Sequence, residues 1–393
     1  MKILFVIDTY FTNNNGTSIS AQRYASELRK RGHEVRILTA NHSAEEDTNI
    51  YSVHFFRFPI FQPLLDKHNF YFAQFRGEAT EKTIKAAVDW ADVVHCYLPF
   101  ALEKKAERYC EKTGKTCTAA AHLQPESITA NFGMHKVGWL THLFYLWFRR
   151  IIFDRVQHVH CPSQFMANEV KSHGFKAKVH PISNGIQAPF IEAGERNIAG
   201  HRTEKSEEYK GKFLLLMVGR LTREKGQELI MRAVPHSKYA DRIQLVFAGH
   251  GPMQKHYEKV GESLPLKPQF LYLKRDELID LFSQADLYVH AADMESEAIS
   301  CIEAIATGLV PVIANSVHSA TTQFALDDRS LFKAGDAKDL ARAIDYWLDN
   351  PEEKHRMEKV YQESALKYSI DNSITLFEEM LNEAIEDNKN SKH

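Results

Sequence analysis

The chain of 393 residues is poor in cysteine: Cys96, Cys110, Cys117, Cys161 and Cys301 are odd in number and include no C-x-x-C pair. Such usage signals neither a disulfide framework nor a zinc site, and it reads as reduced thiols in a cytosolic protein. No apolar run approaches the roughly 20 residues of a membrane-spanning helix, so a protein integral to a membrane is not expected. The first apolar stretch, Ile3 to Ile7, is too short for a signal-peptide core and ends at Asp8, so export by that route is not expected either. Internal repeats and low-complexity tracts are missing, and 18 glycines with 13 prolines exclude collagen-like and mucin-like chains. No complete G-x-G-x-x-G follows the first strand, where only Gly16 stands, and this argues against a nicotinamide enzyme.

Net charge is also small, at −2, but its distribution is uneven. Residues 1–185 hold 23 Lys/Arg against 17 Asp/Glu, and residues 186–393 hold 26 against 34. A basic first half suits an anionic surface, while ordinary solvated charge is the plainer alternative. A nucleic-acid partner is not expected.

What is present is apolar residue in quantity, 44% of the chain, over a length that exceeds a single core. Apolar β-forming runs at 2–8, 33–39, 52–58, 92–98, 116–122, 158–162 and 178–183 alternate with helical patterns such as 18–31. Continuous apolar strands between helices mean a parallel sheet covered on both faces. Residues 192–212 are rich in Glu, Lys, Arg, Gly and Ser and read as an exposed linker or long surface loop. A second series follows, with strands at 213–219, 243–249, 270–273, 287–290 and 310–314 and helices at 226–234 and 276–284. The expectation is an α/β chain of two Rossmann-like domains with parallel sheets facing a cleft: 1–185, 186–365, and a helical tail 366–393 returning to the first domain.

Chemistry-bearing residues cluster at predicted strand ends, where ligands of open α/β sheets bind. Glu295-Ser-Glu-Ala-Ile299-Ser300-Cys-Ile-Glu303 follows the strand 287–290 and places Glu295 at a helix start. If both glutamates were helical, Glu303 would lie roughly 12 Å further along, the span from a sugar to a nucleotide ribose. An acidic helix start also complements the helix dipole, so Glu295 alone leaves two readings open. Glu303, among Ile299, Ile302 and Ile305, is a carboxylate that needs a partner. In Gly219-Arg220-Leu-Thr-Arg-Glu-Lys225-Gly226, Arg220 and Lys225 are placed to neutralise a diphosphate. Gly249 and Gly251, at the next strand end, permit close backbone approach to a ligand, although Gly251-Pro252 is also an ordinary turn. His122 and Gln124 end a strand of the first half, where a structural and a catalytic histidine are equally well placed.

These motifs together resemble the family 4 retaining glycosyltransferases of GT-B fold. They are the E-x7-E pair Glu295 and Glu303, the turn Gly219 to Gly226, Gly249-x-Gly251-Pro252, Asn184-Gly185-Ile186 and Gly32-His33-Glu34-Val35, in the family's order across nearly the whole chain. The resemblance implies that Arg220 and Lys225 bind the donor diphosphate, with Gly249, Gly251, Ile299 and Ser300 in the same site. It further implies that Glu303 binds the ribose, that Glu295 binds the sugar hydroxyls, that Gly16 approaches the diphosphate, and that His122 sits beside the transferred sugar. Same-face attack assisted by the leaving phosphate is the implied mechanism, with no nucleophilic carboxylate. The chain has no D-x-D, which accords with catalysis without a metal or other cofactor. Two departures stand out: Ser296-Glu297-Ala298 replaces the family's Gly-Phe-Gly, and Gln187 replaces the aspartate of Asn-Gly-Val-Asp.

A narrower resemblance, carried by His122-Leu-Gln124-Pro-Glu-Ser-Ile, Phe148-Arg149-Arg150, His160-Cys-Pro-Ser163 and Ser319-Ala-Thr321, is to bacterial members that glycosylate diacylglycerol or related membrane lipids. Trp139, Leu140, Leu143, Phe144, Trp147, Phe148 and Ile151 recur at helical spacing beside Lys136, Arg149, Arg150 and Arg155. An aromatic, basic amphipathic helix suits a bilayer interface, and an apolar stripe equally suits a protein core. The aromatic stretch 55–75 is a second candidate surface. The expected reaction is transfer of glucose or galactose from UDP-glucose or UDP-galactose to a lipid hydroxyl such as that of diacylglycerol, at the anionic inner face of the cell membrane. Ceramide or an existing glycolipid, a soluble or polyprenyl-linked saccharide, a sugar-nucleotide epimerase and a non-enzymatic membrane binder are the alternatives.

Overall fold

A computed structural model describes residues 1–11, 16–40, 48–57, 62, 72–126 and 138–391. The chain divides into two compact units, one of residues 1–184 with 373–393 and one of residues 185–372.

In the first unit the strands are β1 (Lys2–Val6), β2 (Glu34–Ala40), β3 (Ile50–Val53), a small antiparallel pair β4 (Phe55–Phe56) and β5 (Phe72–Ala73), then β6 (Val93–Cys96), β7 (Thr116–Ala120), β8 (His158–Cys161) and β9 (Lys178–Pro181). The main sheet has seven strands in the order β3-β2-β1-β6-β7-β8-β9, all parallel. Ile3 to Val6, Val93 to Cys96 and Val159 are fully buried because helices cover both faces, which is why the strands read as unbroken apolar runs. The last helix, Ile370–Asn390, belongs to this unit from Ser373 onward. Its Phe377 is inserted among Phe5, Tyr24, His95 and His160 at centroid separations of 6.1, 5.1, 4.9 and 5.6 Å. Ile374, Met380 and Leu381 are buried beside it, whereas Leu366 and Leu376, apolar in the sequence pattern, are exposed.

The second unit carries β10 (Phe213–Val218), β11 (Ile243–Ala248), β12 (Gln269–Leu271), β13 (Leu287–His290), β14 (Pro311–Asn315) and β15 (Leu331–Lys333). They form one parallel sheet ordered β12-β11-β10-β13-β14-β15, so the order reverses direction beside β10. The three-residue edge strand β15 is absent from the sequence reading because it is too short to show a period.

The expected linker at 192–212 is corrected in its first half. Ala188–Ile198 is a helix whose Phe190, Ala193 and Asn197 are buried. Its charged residues Glu192, Glu195 and Arg196 face outward, and the small residues allow tight packing: a Cβ on Gly194 would stand 1.8 Å from the Ala306 carbonyl oxygen. Asn197 Nδ2 donates to Ser283 Oγ at 3.1 Å and to the Thr307 carbonyl at 2.8 Å. Composition alone concealed this face. All five cysteines are free thiols.

Candidate functional site

Three strand ends of the second unit meet around one carboxylate. Beyond β10 the chain makes a tight turn through Arg220 and the short helical turn Arg223–Lys225, and beyond β13 it bends at Asp293 and reaches Glu295. There Glu295 makes a parallel bridge with Ser319: its N–H donates to the His318 carbonyl at 3.4 Å, and its carbonyl accepts from Ala320 N–H at 2.8 Å. The carboxylate is thereby turned inward, where Oε1 accepts from Lys225 Nζ at 2.5 Å and lies 3.2 Å from His290 Nε2. Burial would raise its pKa, but the Lys225 ammonium and the His290 hydrogen bond outweigh burial and hold it down at about 2. Glu295 is therefore ionised at any physiological pH and can only accept hydrogen bonds. His290 in turn lies 3.2 Å from Tyr288 Oη through Nδ1, and Tyr288 Oη is 3.0 Å from Ser300 Oγ, which donates to the Val218 carbonyl at 3.0 Å. Ser300 is thus tied to the ends of β10 and β13.

The placement of Glu295 at a helix start is corrected. The helix is Ile299–Ala306, and Ala298 before it adopts φ 68° and ψ 68°, the one left-handed non-glycine among the described residues. Glu295 lies in the extended bridge instead, so the roughly 12 Å helical spacing to Glu303 does not apply. Ala298 stands where the resembling family writes glycine, and it adopts the conformation that glycine favours. Glu303 is buried on the helix itself, and Ile299 is half-buried at its first position.

Arg220 is exposed, with Nη2 3.6 Å from Glu224 Oε1, while its carbonyl accepts from Gln227 Nε2 at 2.8 Å. Gly249 and Gly251 lie against protein backbone. A Cβ on Gly249 would stand 2.1 Å from the Gly219 carbonyl oxygen, and one on Gly251 would stand 2.5 Å from the Leu221 carbonyl oxygen. They allow the loop after β11 to touch the loop after β10, which carries Arg220 and Lys225.

In the first unit His122 lies just beyond β7 and is buried. It is stacked on Tyr97 at 5.5 Å and 8°, and meets the edge of His160 at 4.9 Å. His160 Nε2–H donates to the Ile182 carbonyl at 2.7 Å, which fixes that ring. Burial, with the nearby His160 second, holds the pKa of His122 well below the usual imidazole value, so its ring is neutral. Its Nε2 is buried without a partner among the described residues. Gln124 is buried two residues on, and Gly16 opens the helix Gly16–Lys30 in an exposed position. Asn13 to Asn15 lie outside the described residues.

The aromatic helix Gly138–Phe148 divides its stripe in two. Tyr145 and Phe148 are buried, Phe144 is half-buried, and Ile151 beyond them is buried, so this face is core. Trp139, Leu143 and Trp147, spaced by four, are 69%, 49% and 46% exposed and form a separate outer row continued by exposed Arg150. Arg149 is used internally, with Nε 3.0 Å from Asp154 Oδ2 and Nη1 donating to the His173 carbonyl at 3.3 Å. Lys136, and most of the candidate surface at 55–75, lie outside the described residues. No helix among the described residues is long and apolar enough to cross a membrane.

Two features escaped sequence reading. His290 is the last residue of an apolar strand, and its strand-end position was the available signal. Asp8 and Glu103 form a buried carboxyl pair in the first unit, where Asp8 Oδ1 accepts the Ala73 N–H. Burial raises the pKa of both, and the nearby charge of Asp8 raises that of Glu103 further.

Comparison with known proteins follows the same division. A family model described as Glycosyltransferase Family 4 matches residues 14–188, and one described as Glycosyl transferases group 1 matches residues 201–363. A GDP-mannose-dependent alpha-mannosyltransferase of Corynebacterium glutamicum is 25% identical over 80% of this chain and 72% of its own. The Anabaena HepE structure in complex with UDP is similar in fold, with a TM-score of 0.74 at 15% identity over 98% of this chain and 100% of that one. The catalytic domain of cholesterol-alpha-glucosyltransferase from Helicobacter pylori is 48% identical over 40% of this chain and 99% of that domain, with a TM-score of 0.39.

Proposed function

Since the chain belongs to the family 4 glycosyltransferases and has their GT-B type of fold, we propose that it is a retaining hexosyltransferase that takes glucose or galactose from a UDP-sugar. The observation that carries this reading is the ionised Glu295 held by Lys225 and His290 at adjoining strand ends of the second unit. An acceptor-only carboxylate is suited to the hydroxyl groups of a sugar, and Lys225, with three N–H donors, can serve a phosphate oxygen while keeping Glu295. Arg220 supplies the second cation from its exposed position, and the first amides of the helix Ile299–Ala306 add donors for the diphosphate. Glu303 takes the ribose. Charge building on the leaving diphosphate is met by Arg220 and Lys225 without a metal ion. The bond from the sugar to phosphate breaks, the acceptor oxygen bonds to the same carbon on the same face, and the acceptor proton passes to the departing phosphate. Neutral His122, with its buried Nε2, is the first unit's hydrogen-bonding group for the transferred sugar.

The acceptor in this reading is a membrane-lipid hydroxyl, with diacylglycerol preferred. It is supported by the outer row Trp139, Leu143 and Trp147 with Arg150, which suits the headgroup region of an anionic bilayer at the cytoplasmic face. Release of UDP is measured from UDP-glucose and UDP-galactose in EDTA, with vesicles carrying diacylglycerol, ceramide, a glycolipid or cholesterol, and the lipid products are weighed by mass spectrometry. Release that requires one lipid and adds one hexose to it is the expected result. Release with soluble saccharides alone overturns the lipid acceptor, and release from GDP-mannose alone overturns the UDP-sugar donor.

A further inference from the structure

At the edge of the first unit's sheet, two histidines on neighbouring strands meet the carboxylates of the last helix. His158 opens β8, His180 lies on β9, and β9 is the outermost strand. Glu383 and Asp387 stand four residues apart on the helix Ile370–Asn390 and so share a face. His158 Nδ1 is 3.0 Å from His180 Nε2, and His180 Nε2 is 4.0 Å from Glu383 Oε2. One donor atom from each of the three residues lies within 4.8 Å of the others. All of these groups belong to the same compact unit.

Asp387 decides which nitrogen of His158 faces His180. His158 Nε2 lies 3.1 Å from Asp387 Oδ2, and donating its proton there leaves the lone pair on Nδ1, facing His180. With no metal, a single proton on His180 Nε2 holds the two rings together. A cation in its place would be bound by both lone pairs and by Glu383. His158 is buried, and the His180 side chain is only 14% exposed. Lys178 pairs with the other oxygen of Glu383, so one charge of the two carboxylates is offset.

We propose that His158, His180 and Glu383 form a site for a divalent transition-metal ion, zinc foremost, that clamps the last helix to the sheet edge. Two imidazoles and one carboxylate form a donor set for zinc with a fourth position left to water, and imidazole selects against calcium and magnesium. The role is structural, and it is independent of the glycosyl-transfer reading.

The test is titration of the metal-stripped full chain with zinc chloride against a chromogenic chelator, together with thermal melts. One zinc per chain is expected, with a melting temperature raised by several degrees at a hundredfold excess over Kd. His180→Ala and Glu383→Gln each weaken binding by about tenfold or more and abolish the shift, and Asp387→Asn weakens it about 10–100-fold. Lys178→Ala tightens binding, since it removes the competing cation. His236→Ala in the second unit leaves binding unchanged. Glu383 lies at the surface of the helix, so its variant keeps the fold and wild-type circular dichroism. Absence of stoichiometric binding, or binding that survives His180→Ala and Glu383→Gln, overturns the proposal.

Discussion

Lys225 Nζ stands 2.5 Å from Glu295 Oε1 although the two residues are 70 positions apart. The turn after β10 and the segment after β13 are brought together by the pairing of those strands, so one ion pair reports on both loops. The pair is largely enclosed, with the lysine side chain 20% and the glutamate side chain 11% exposed. Removing one partner leaves the other charge buried, so the two residues are expected to act as a unit in stability and in turnover.

Glu295→Gln is expected to lower turnover by about a hundredfold or more while the donor KM changes less than tenfold. The amide keeps the shape but lacks the charge that meets the sugar hydroxyls. Lys225→Met is expected to raise the donor KM as well, and the double variant to fall short of the product of the two single effects. Steady-state UDP release checks all three. Wild-type turnover in Glu295→Gln would remove Glu295 from the site.

The acid limb of stability follows from the same pair. Glu295 is held at about 2, below its ordinary 4.5, so its contribution is fully present above pH 4.5 and is lost as pH falls toward 2. The shift corresponds to on the order of 3 kcal/mol. Chemical unfolding from pH 6 to pH 3 is expected to show wild type losing its advantage over Glu295→Gln as acid is added. A constant difference across that range counts against the buried ion pair.

The opposite sign holds for Asp8 and Glu103. Burial raises both pKa values, so the pair favours the fold while it keeps its proton and opposes it as rising pH removes that proton. Glu103→Gln keeps the shape of the side chain without the second charge. Its melting temperature is expected to fall less than that of wild type between pH 6 and pH 9, and equal slopes would refute this.

Ala298 is a positional test. Its left-handed backbone is costly for any residue with a Cβ and most costly for a β-branched one. Ala298→Gly is expected to remain within about 1 kcal/mol of wild type, since the relieved strain offsets the lost methyl and the greater freedom of the unfolded chain. Ala298→Val is expected to cost at least about 2 kcal/mol. Urea unfolding separates the two.

Replacing Trp139 and Trp147 with serine removes two exposed rings, with the loss of the Trp147 ring contacts to Phe148 and Phe144 at 5.4 and 6.2 Å. Sedimentation with anionic vesicles is expected to show binding weakened by about tenfold or more, with UDP-sugar affinity unchanged. Undiminished vesicle binding would assign the outer row another purpose.

Much of the architecture was legible because parallel strands covered on both faces are unbroken apolar runs, and their ends mark where Lys225, Glu295 and His122 stand. What was not legible depends on contacts distant in sequence or on irregular backbone. The helix 188–198 hides a narrow buried face of Phe190, Ala193 and Asn197 within a polar composition. The extended geometry of Glu295 depends on pairing with Ser319, which no local pattern encodes. His290 was visible only as a strand end, and the Asp8 and Glu103 pair joins residues with no shared motif. The aromatic helix gave one stripe in sequence and two faces in the fold, because periodicity cannot tell half-buried from exposed.

The insertion of Phe377 among Phe5, Tyr24, His95 and His160 has a temporal meaning during synthesis. Residues 1–184 emerge first, yet one face of their sheet is covered by a helix made some two hundred residues later. The second unit, 185–372, emerges in between and contains all of its own strands. The usual order, in which the leading domain folds first, is therefore inverted at the final step. Phe377 can take its place among these rings only after the second unit has been synthesised.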